Sequence, residues 1–306
     1  MENVSVVDVN LTIASISNAN VTSAIKTFIL VLFIVCFFFF LCFIKILLSI
    51  FFTITNVQDN ARYVLFAHML FCDSFYLFLG LLLLALSIYM VYLPLNICYI
   101  ILTATLTSFV VTPYNLAILS LERYVAICHP LRHTELCTVP KSCAAIALMW
   151  IFGLLPNIVD MIIMSFSIEK STFLSTSVAC KNAAVIMTPL QNTMKSVNII
   201  TGLCIVGLII VFTYIKVIAV AHKIGGSSAF KAGKTVMLHA FQLLLCMTSL
   251  TSHFVETTFR NYHFSVNVAF FFITICLPRF LSPLIYGIRD ELFRKYIKKM
   301  YSNLKI

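Results

Sequence analysis

Seven stretches of this chain are apolar for about twenty residues or more, the length that spans roughly 30 Å of hydrocarbon. They run over Thr27–Thr53, Arg62–Tyr89, Leu95–Arg123, Lys141–Met164, Met194–Ala221, Ala232–Glu256 and Phe264–Ile288. Lipid offers no partner to a backbone N–H or C=O, so each stretch is expected to be a helix. After Ile288 the pattern changes. Leu292-Phe293, Tyr296-Ile297 and Met300-Tyr301 recur at three- and four-residue spacing, with Arg294, Lys295, Lys298 and Lys299 between them. That pattern predicts a short amphipathic helix along the membrane surface, with Asp290-Glu291 at its favourable amino end. The expected fold is an all-α membrane protein. A polar tail (1–26) leads to a seven-transmembrane helix bundle (27–288), which ends in an amphipathic tail (289–306).

Composition agrees: 61% of the 306 residues are hydrophobic and 10% are charged. No soluble domain has that balance. Charge then orients the bundle. With the amino end outside, the inner loops and tail hold Lys45, Arg62, Arg123, Arg132, Lys141, Lys216, Lys223, Lys231, Lys234, Arg289, Arg294, Lys295, Lys298, Lys299 and Lys305. The outer side holds Lys26, Lys170, Lys181, Lys195 and Arg260, and Arg279 falls within the last stretch. This is a strong positive-inside bias. The net charge of +10 is thus mostly an inner-face feature. It implies contact with anionic membrane lipid and no nucleic acid.

The sequons at Asn3, Asn10 and Asn20 agree with that charge argument, and the expectation is an extracellular, glycosylated tail on a multi-pass plasma-membrane protein with its carboxyl end in the cytoplasm. No removable signal peptide is expected, and the first helix acts as the insertion signal. Short loops join the helices without a linker or an internal repeat, so residues 1–306 read as one domain. The turn Ile224-Gly225-Gly226-Ser227-Ser228 separates the fifth and sixth helices.

Of eleven cysteines, Cys36, Cys42, Cys72, Cys143, Cys204, Cys246 and Cys276 lie in apolar stretches and read as small buried hydrophobes. Cys128 and Cys137 face the reducing side. Cys98 and Cys180 remain outside, and a disulfide between them would pin the loop before the fifth helix over the bundle mouth. No Cys/His set has zinc spacing.

Glu122-Arg123-Tyr124 closes the third stretch at its inner end. A guanidinium there is costly to bury and is of no use to a packing face. It can be held in one conformation and offered to a cytosolic partner in another. Thr105, Phe109, Thr112, Leu116 and Arg123 share one stripe, and five turns carry it over about 27 Å. Most of the stripe is an ordinary helix interface. It makes a rigid rod between the outer half of the bundle and the inner mouth.

Leu121-Glu122-Arg123-Tyr124-Val125-Ala126-Ile127-Cys128-His129-Pro130-Leu131-Arg132 resembles the acid-Arg-Tyr region of rhodopsin-like G-protein-coupled receptors, in its odorant-receptor form. The resemblance extends over nearly the whole chain. Cys98 and Cys180 fit the outer disulfide, Asp73 the acid of the second helix, Trp150 the tryptophan of the fourth, and Tyr214 the tyrosine low in the fifth. Lys231-Ala232-Gly233-Lys234-Thr235-Val236-Met237-Leu238-His239 is similar to the entry into the sixth helix. Leu277-Pro278-Arg279-Phe280-Leu281-Ser282-Pro283-Leu284-Ile285-Tyr286-Gly287 is similar to the end of the seventh. The wording of these two motifs is nearest to fish odorant receptors. Glu122 replaces the usual Asp, and Ser282 the usual Asn. The first helix lacks its Gly-Asn pair, the outer loop has one cysteine, and Cys246-Met247 stand where many relatives have an aromatic switch.

The resemblance assigns G-protein coupling and switching to Glu122, Arg123, Tyr124, Tyr214, His239, Pro283 and Tyr286. Pro283 frees a backbone carbonyl and kinks the seventh helix, with Tyr286 three residues on. His239 reads as a switch or as a satisfied core histidine. Asp73, Thr112 and Ser282 form a candidate sodium site. The alternative for Asp73 is a protonated or hydrogen-bonded structural acid, since Thr112 adds no second carboxylate. Thr105, Leu106, Phe109, Asn198 and Gly202 line a candidate apolar pocket together with Met247, Leu250 and Phe254. Plain core packing stays open for each of them.

No acid occupies the outer half of the third helix, so an amine held there by a salt bridge is not expected. Glu256 and Arg260 lie at the rim. The implied function is an odorant receptor, not an enzyme. A small-molecule odorant is its ligand, and a heterotrimeric G protein of the olfactory stimulatory type, which raises cyclic AMP, is its partner. The rivals are a related receptor for a peptide or lipid, and a transporter or channel. The latter predicts paired buried charges or broken helices at mid-membrane, and beyond Asp73 the sequence shows little of either.

Overall fold

The computed structural model describes residues 2–53, 58–167, 176–180, 189–224 and 272–281, with single positions at 241, 244, 283, 294 and 296; over 2–22 it describes backbone alone. Five helices among these residues are long and apolar enough to cross a membrane: Ser23–Thr53, Ala61–Ile88, Leu95–Cys128, Val139–Met164 and Thr193–Val220. They are the first five expected spans, each within a few residues of its expected ends. Of the sixth span only Phe241 and Leu244 are described, both helical and exposed; residues 225–228 of the turn and most of the amphipathic tail lie outside the described residues. Of that tail, Arg294 is helical and exposed, and Tyr296 is helical and packs on the main core.

The first helix is continuous from Glu2 to Thr53. The polar tail is therefore an extension of the first span, and Asn3, Asn10 and Asn20 lie on helical backbone. Within the span, Leu30, Phe33, Phe37, Phe40, Ile44, Leu47 and Ile50 are buried at three- and four-residue spacing. Phe28, Phe38 and Phe39 on the other side are exposed. Both faces are apolar because one meets protein and the other lipid, so polarity alone does not reveal which is which.

The second helix opens at Asn60, whose side chain caps it by accepting from the Arg62 N–H at 3.1 Å. The third is the axis, with the second, fourth and fifth packed around it. Thr105, Phe109, Thr112 and Leu116 are all buried, as their stripe predicts. Pro113 sits inside this helix. It has no N–H for the Phe109 carbonyl, so the expected rod is not uniform. The seventh span shows a π-helical turn, Phe272–Cys276, followed by α-helix over 277–281. The irregularity thus begins above Pro278, earlier than a kink at Pro283 alone implies. Such π turns are rare and gather at functional sites.

The cysteines divide differently from expectation. Cys72 and Cys276 are buried and Cys36 partly so, but Cys42, Cys143 and Cys204 are exposed on the outer faces of their helices. In lipid an exposed thiol carries little penalty, because a small apolar residue suits either environment. Cys246 lies outside the described residues.

At one end of the bundle Cys98 and Cys180 form a disulfide with Cα atoms 5.4 Å apart. A two-stranded antiparallel ladder adjoins it, β1 (Tyr92–Pro94) with β2 (Ser177–Ala179), placing Tyr92 opposite Ala179. The Leu95 N–H donates to the Thr176 carbonyl at 3.0 Å, and Leu95, Tyr99, Leu102 and Met164 pack round the sulfurs. The bond closes a loop of 82 residues, and such a link stabilises by roughly 2–5 kcal/mol. Cys98→Ser and Cys180→Ser are each expected to lower the monodisperse yield on size-exclusion of solubilised receptor. The double variant should be no worse than either single, and unchanged yields would remove the stabilising role.

Candidate functional site

The Arg123 end is built from the last turns of the third span and the short helix Pro130–Leu136 that follows it. Glu122 is buried, and its two oxygens have different neighbours. Oε2 lies 3.9 Å from Arg123 Nε, whereas Oε1 lies 3.0 Å from His133 Nε2. The expected Glu122–Arg123 contact therefore exists but is loose, and the shorter contact goes to a histidine that sequence reading missed. The signal for it was Pro130, which starts a new helix and turns His133 back toward Glu122. The Tyr124 hydroxyl lies 3.1 Å from His129 Nε2, and its ring meets Phe212 of the fifth span at 5.7 Å. Tyr214 is half-buried against the main core, and Thr213 beside it bonds Ser120 of the third span at 3.4 Å. Burial pushes the Cys137 thiol up from its ordinary pKa, and the Glu122 charge adds to that.

The middle of the bundle holds the largest departure from expectation. Asp73 and Thr112 do come together, with the Thr112 hydroxyl 3.2 Å from Asp73 Oδ1. Between them sits Arg279 of the seventh span. Its Nη1 donates to Asp73 Oδ1 at 2.6 Å and to Thr112 Oγ1 at 3.1 Å. Its guanidinium lies over the Tyr76 ring at 3.9 Å and near the Phe109 ring at 5.8 Å. Both charges are almost fully enclosed, at 5% and 0% side-chain exposure. Breaking such a pair strands a charge and costs about 3–5 kcal/mol. The signal was present in the sequence. One acid and one arginine each lay alone inside an apolar stretch, and lone intramembrane charges find each other.

The sodium expectation is tested by this geometry. A hard cation needs several oxygens free to turn toward it. Here one oxygen of Asp73 and the hydroxyl of Thr112 already serve a guanidinium, and two aromatic rings supply the adjoining walls. Asp73 Oδ2 is buried without a hydrogen-bond partner, but a second cation there would share a single carboxylate with Arg279. A guanidinium thus stands where the sodium expectation placed the ion. Ser282, the third expected member, lies outside the described residues.

Nearer the disulfide, the pocket candidates behave unequally. The Thr105 hydroxyl is spent on its own helix, donating to the Ile101 carbonyl at 2.7 Å. Phe109 is buried with its ring tilted against Tyr76 at 5.7 Å, while Leu106 and Asn198 are half-buried. Gly202 is buried where the fifth span meets the third, and an added Cβ there would stand 2.7 Å from the Tyr114 hydroxyl. A second ion pair was also missed: half-buried Lys195 Nζ and buried Asp160 Oδ2 lie 2.8 Å apart, and the Tyr99 hydroxyl lies 3.2 Å from the same oxygen. Lys195 is therefore no free outer charge. Further down, Trp150 Nε1 donates to His68 Nε2 at 2.9 Å, joining the fourth span to the second. Pro283 is buried. His239, Met247, Leu250, Phe254 and Tyr286 lie outside the described residues.

Comparison with known proteins agrees with this arrangement. The family model described as 7 transmembrane receptor (rhodopsin family) matches residues 46–286. Odorant receptor 131-2 of Danio rerio is 30% identical over 251 residues, which cover 78% of this chain and 75% of that protein. Olfactory receptor 2M2 of Homo sapiens is 31% identical over 194 residues, 60% of this chain and 55% of that receptor. Olfactory receptor 1073 of Rattus norvegicus is 25% identical over 199 residues, 60% and 61% respectively. The chain belongs to the rhodopsin family of seven-transmembrane receptors and, within it, to the odorant receptors. It is a receptor and not an enzyme. The buried Asp73–Arg279 pair, of the kind that would have favoured a transporter, is thus a feature of a receptor bundle.

Gly202 yields a test of the third–fifth interface. Gly202→Ala is expected to destabilise the receptor by about 1–3 kcal/mol, since the new methyl meets the Tyr114 oxygen. Tyr114→Phe in the same chain should restore most of the loss, because the next nearest ring atom is 3.5 Å away. Thermal melts of the single and double variants read both effects, and equal melts for the two would disprove the contact.

Proposed function

We propose that this odorant receptor takes a small apolar odorant between its third, fifth and sixth spans and passes the signal to a G protein at the Arg123 end. The partner is the olfactory stimulatory type, and its output is cyclic AMP. The amino end lies outside the plasma membrane and the carboxyl end in the cytosol, as the excess of Lys and Arg on the Arg123 side supports. Anionic lipid on that side meets the basic tail.

The observation that carries this reading is the divided carboxylate of Glu122. A 3.9 Å contact to a partly exposed arginine is worth only about 0.2–1 kcal/mol. A ligand that prefers one helix packing tenfold over another supplies about 1.4 kcal/mol. Modest selectivity in the pocket is therefore enough to offset this one contact, while His133 retains Glu122. Most of the candidate lining is apolar, and the Thr105 hydroxyl is already bonded to its own helix. Asp160, an acid near the disulfide end, is already engaged by Lys195 and Tyr99, which disfavours an amine anchored on it.

Two measurements test the reading. Arg123→Ala, at matched surface level, is expected to abolish the cyclic AMP response to any active member of an odorant panel; a retained response would end the mechanism. For orientation, glycosidase treatment should speed the receptor on a gel, and the triple variant Asn3→Gln, Asn10→Gln, Asn20→Gln should lose that shift. A tag on the amino end that reacts only in permeabilised cells would reverse the topology.

A further inference from the structure

We propose that Arg279 is a tethered cation that occupies the polar centre between the second, third and seventh spans, so that the receptor neither binds nor responds to sodium there. The carboxylate at that centre, Asp73, is wholly buried. In hydrocarbon it must be neutralised by a proton, by a captured ion or by a fixed positive group. The geometry supplies the third. Nη1 of Arg279 reaches Asp73 Oδ1 and Thr112 Oγ1 together, and the guanidinium carbon lies 3.9 Å from the centre of the Tyr76 ring and 5.8 Å from that of Phe109.

A free ion at this position would exchange with solvent and follow its concentration. A guanidinium on the backbone of the seventh span cannot leave. Its occupancy is set by the position of that helix, so the charge reports helix movement instead of ionic composition. Arg279 also touches Phe109, four residues before the proline that interrupts the third span. The cation therefore bridges the floor of the candidate pocket and the segment that follows the π turn. Arg279 is in this sense a positioning residue, holding the second, third and seventh spans in register. Lysine would not replace it, because a point charge on a flexible stem lacks the planar, delocalised cation that can serve Asp73, Thr112 and the neighbouring rings at once.

This inference is independent of the odorant reading, and its readout needs neither ligand nor G protein. The chain has a single tryptophan, Trp150, whose indole bonds His68, so its fluorescence follows unfolding of the full-length receptor in nanodiscs. Wild-type receptor is expected to melt at the same temperature in sodium chloride and in choline chloride, both at about 0.15 M. A sodium-specific rise of several degrees that disappears in Asp73→Asn would overturn the proposal. Asp73→Asn and Arg279→Gln are each expected to cut the folded yield several-fold, since each strands the other charge. Asp73→Asn with Arg279→Gln should recover most of that yield, and a double variant no better than the worse single would also overturn it. Arg279→Lys should stay clearly below wild type; full rescue would remove the role given to the rings. If a single variant does not fold at all, the wild-type salt comparison and the double variant still decide.

Discussion

A polar group inside hydrocarbon has no water to fall back on, and leaving one unpaired costs several kcal/mol. The backbone answers by becoming helical in every described span. Side chains face the same demand with fewer ways to meet it, and the third span shows how it is met. At successive levels it holds a polar tie to a neighbour: Tyr99 to the Asn157 carbonyl, Thr107 with Asn157, Thr112 with Asp73, Asn115 to the Leu65 carbonyl and Ser120 with Thr213. Lipid is as apolar as leucine, so hydrophobic burial does not hold these helices together as it would in water. Close packing and the polar ties do.

Against that background Asp73 and Arg279 stand apart in kind. Apart from the bond of Thr112 to Asp73, the other ties join neutral groups. The ion pair carries full charge in the least polar part of the molecule, and neither member has a second charged partner among the described residues. It therefore discriminates sharply between arrangements that keep the second and seventh spans adjacent and those that do not. The contact at Glu122 is its opposite: loose, partly wet and readily re-partnered. Placing the strong pair in the middle and the weak one at the Arg123 end suits a bundle that stays assembled while one end rearranges.

Much of this was legible in the chain. The first five described spans, the disulfide and the buried stripe of the third helix follow from apolar length, topology and helical periodicity. The partners of the charges were not read. Asp73 and Arg279 are 206 residues apart, and only the fold brings them together. Asp160 and Lys195 were hidden for another reason: each sits near the end of a span, where a charge reads as solvated. His133 looked like an ordinary loop residue until the turn at Pro130 folded it back. The lipid-facing cysteines show the limit of reading burial from polarity, since an apolar side chain is at home on either side of a membrane helix.

Pro113 has a mechanical consequence. The third span is stiff on both sides of it, but at Phe109 the ladder lacks one rung, at the depth where Arg279 lies against the same residue. A column with one compliant joint does not act as a piston. A push near the disulfide end emerges as a change of direction below the joint, and the bracing cation sets how far the joint can bend. Such a column favours sideways displacement of the Glu122–Arg123 turn over its rise or fall.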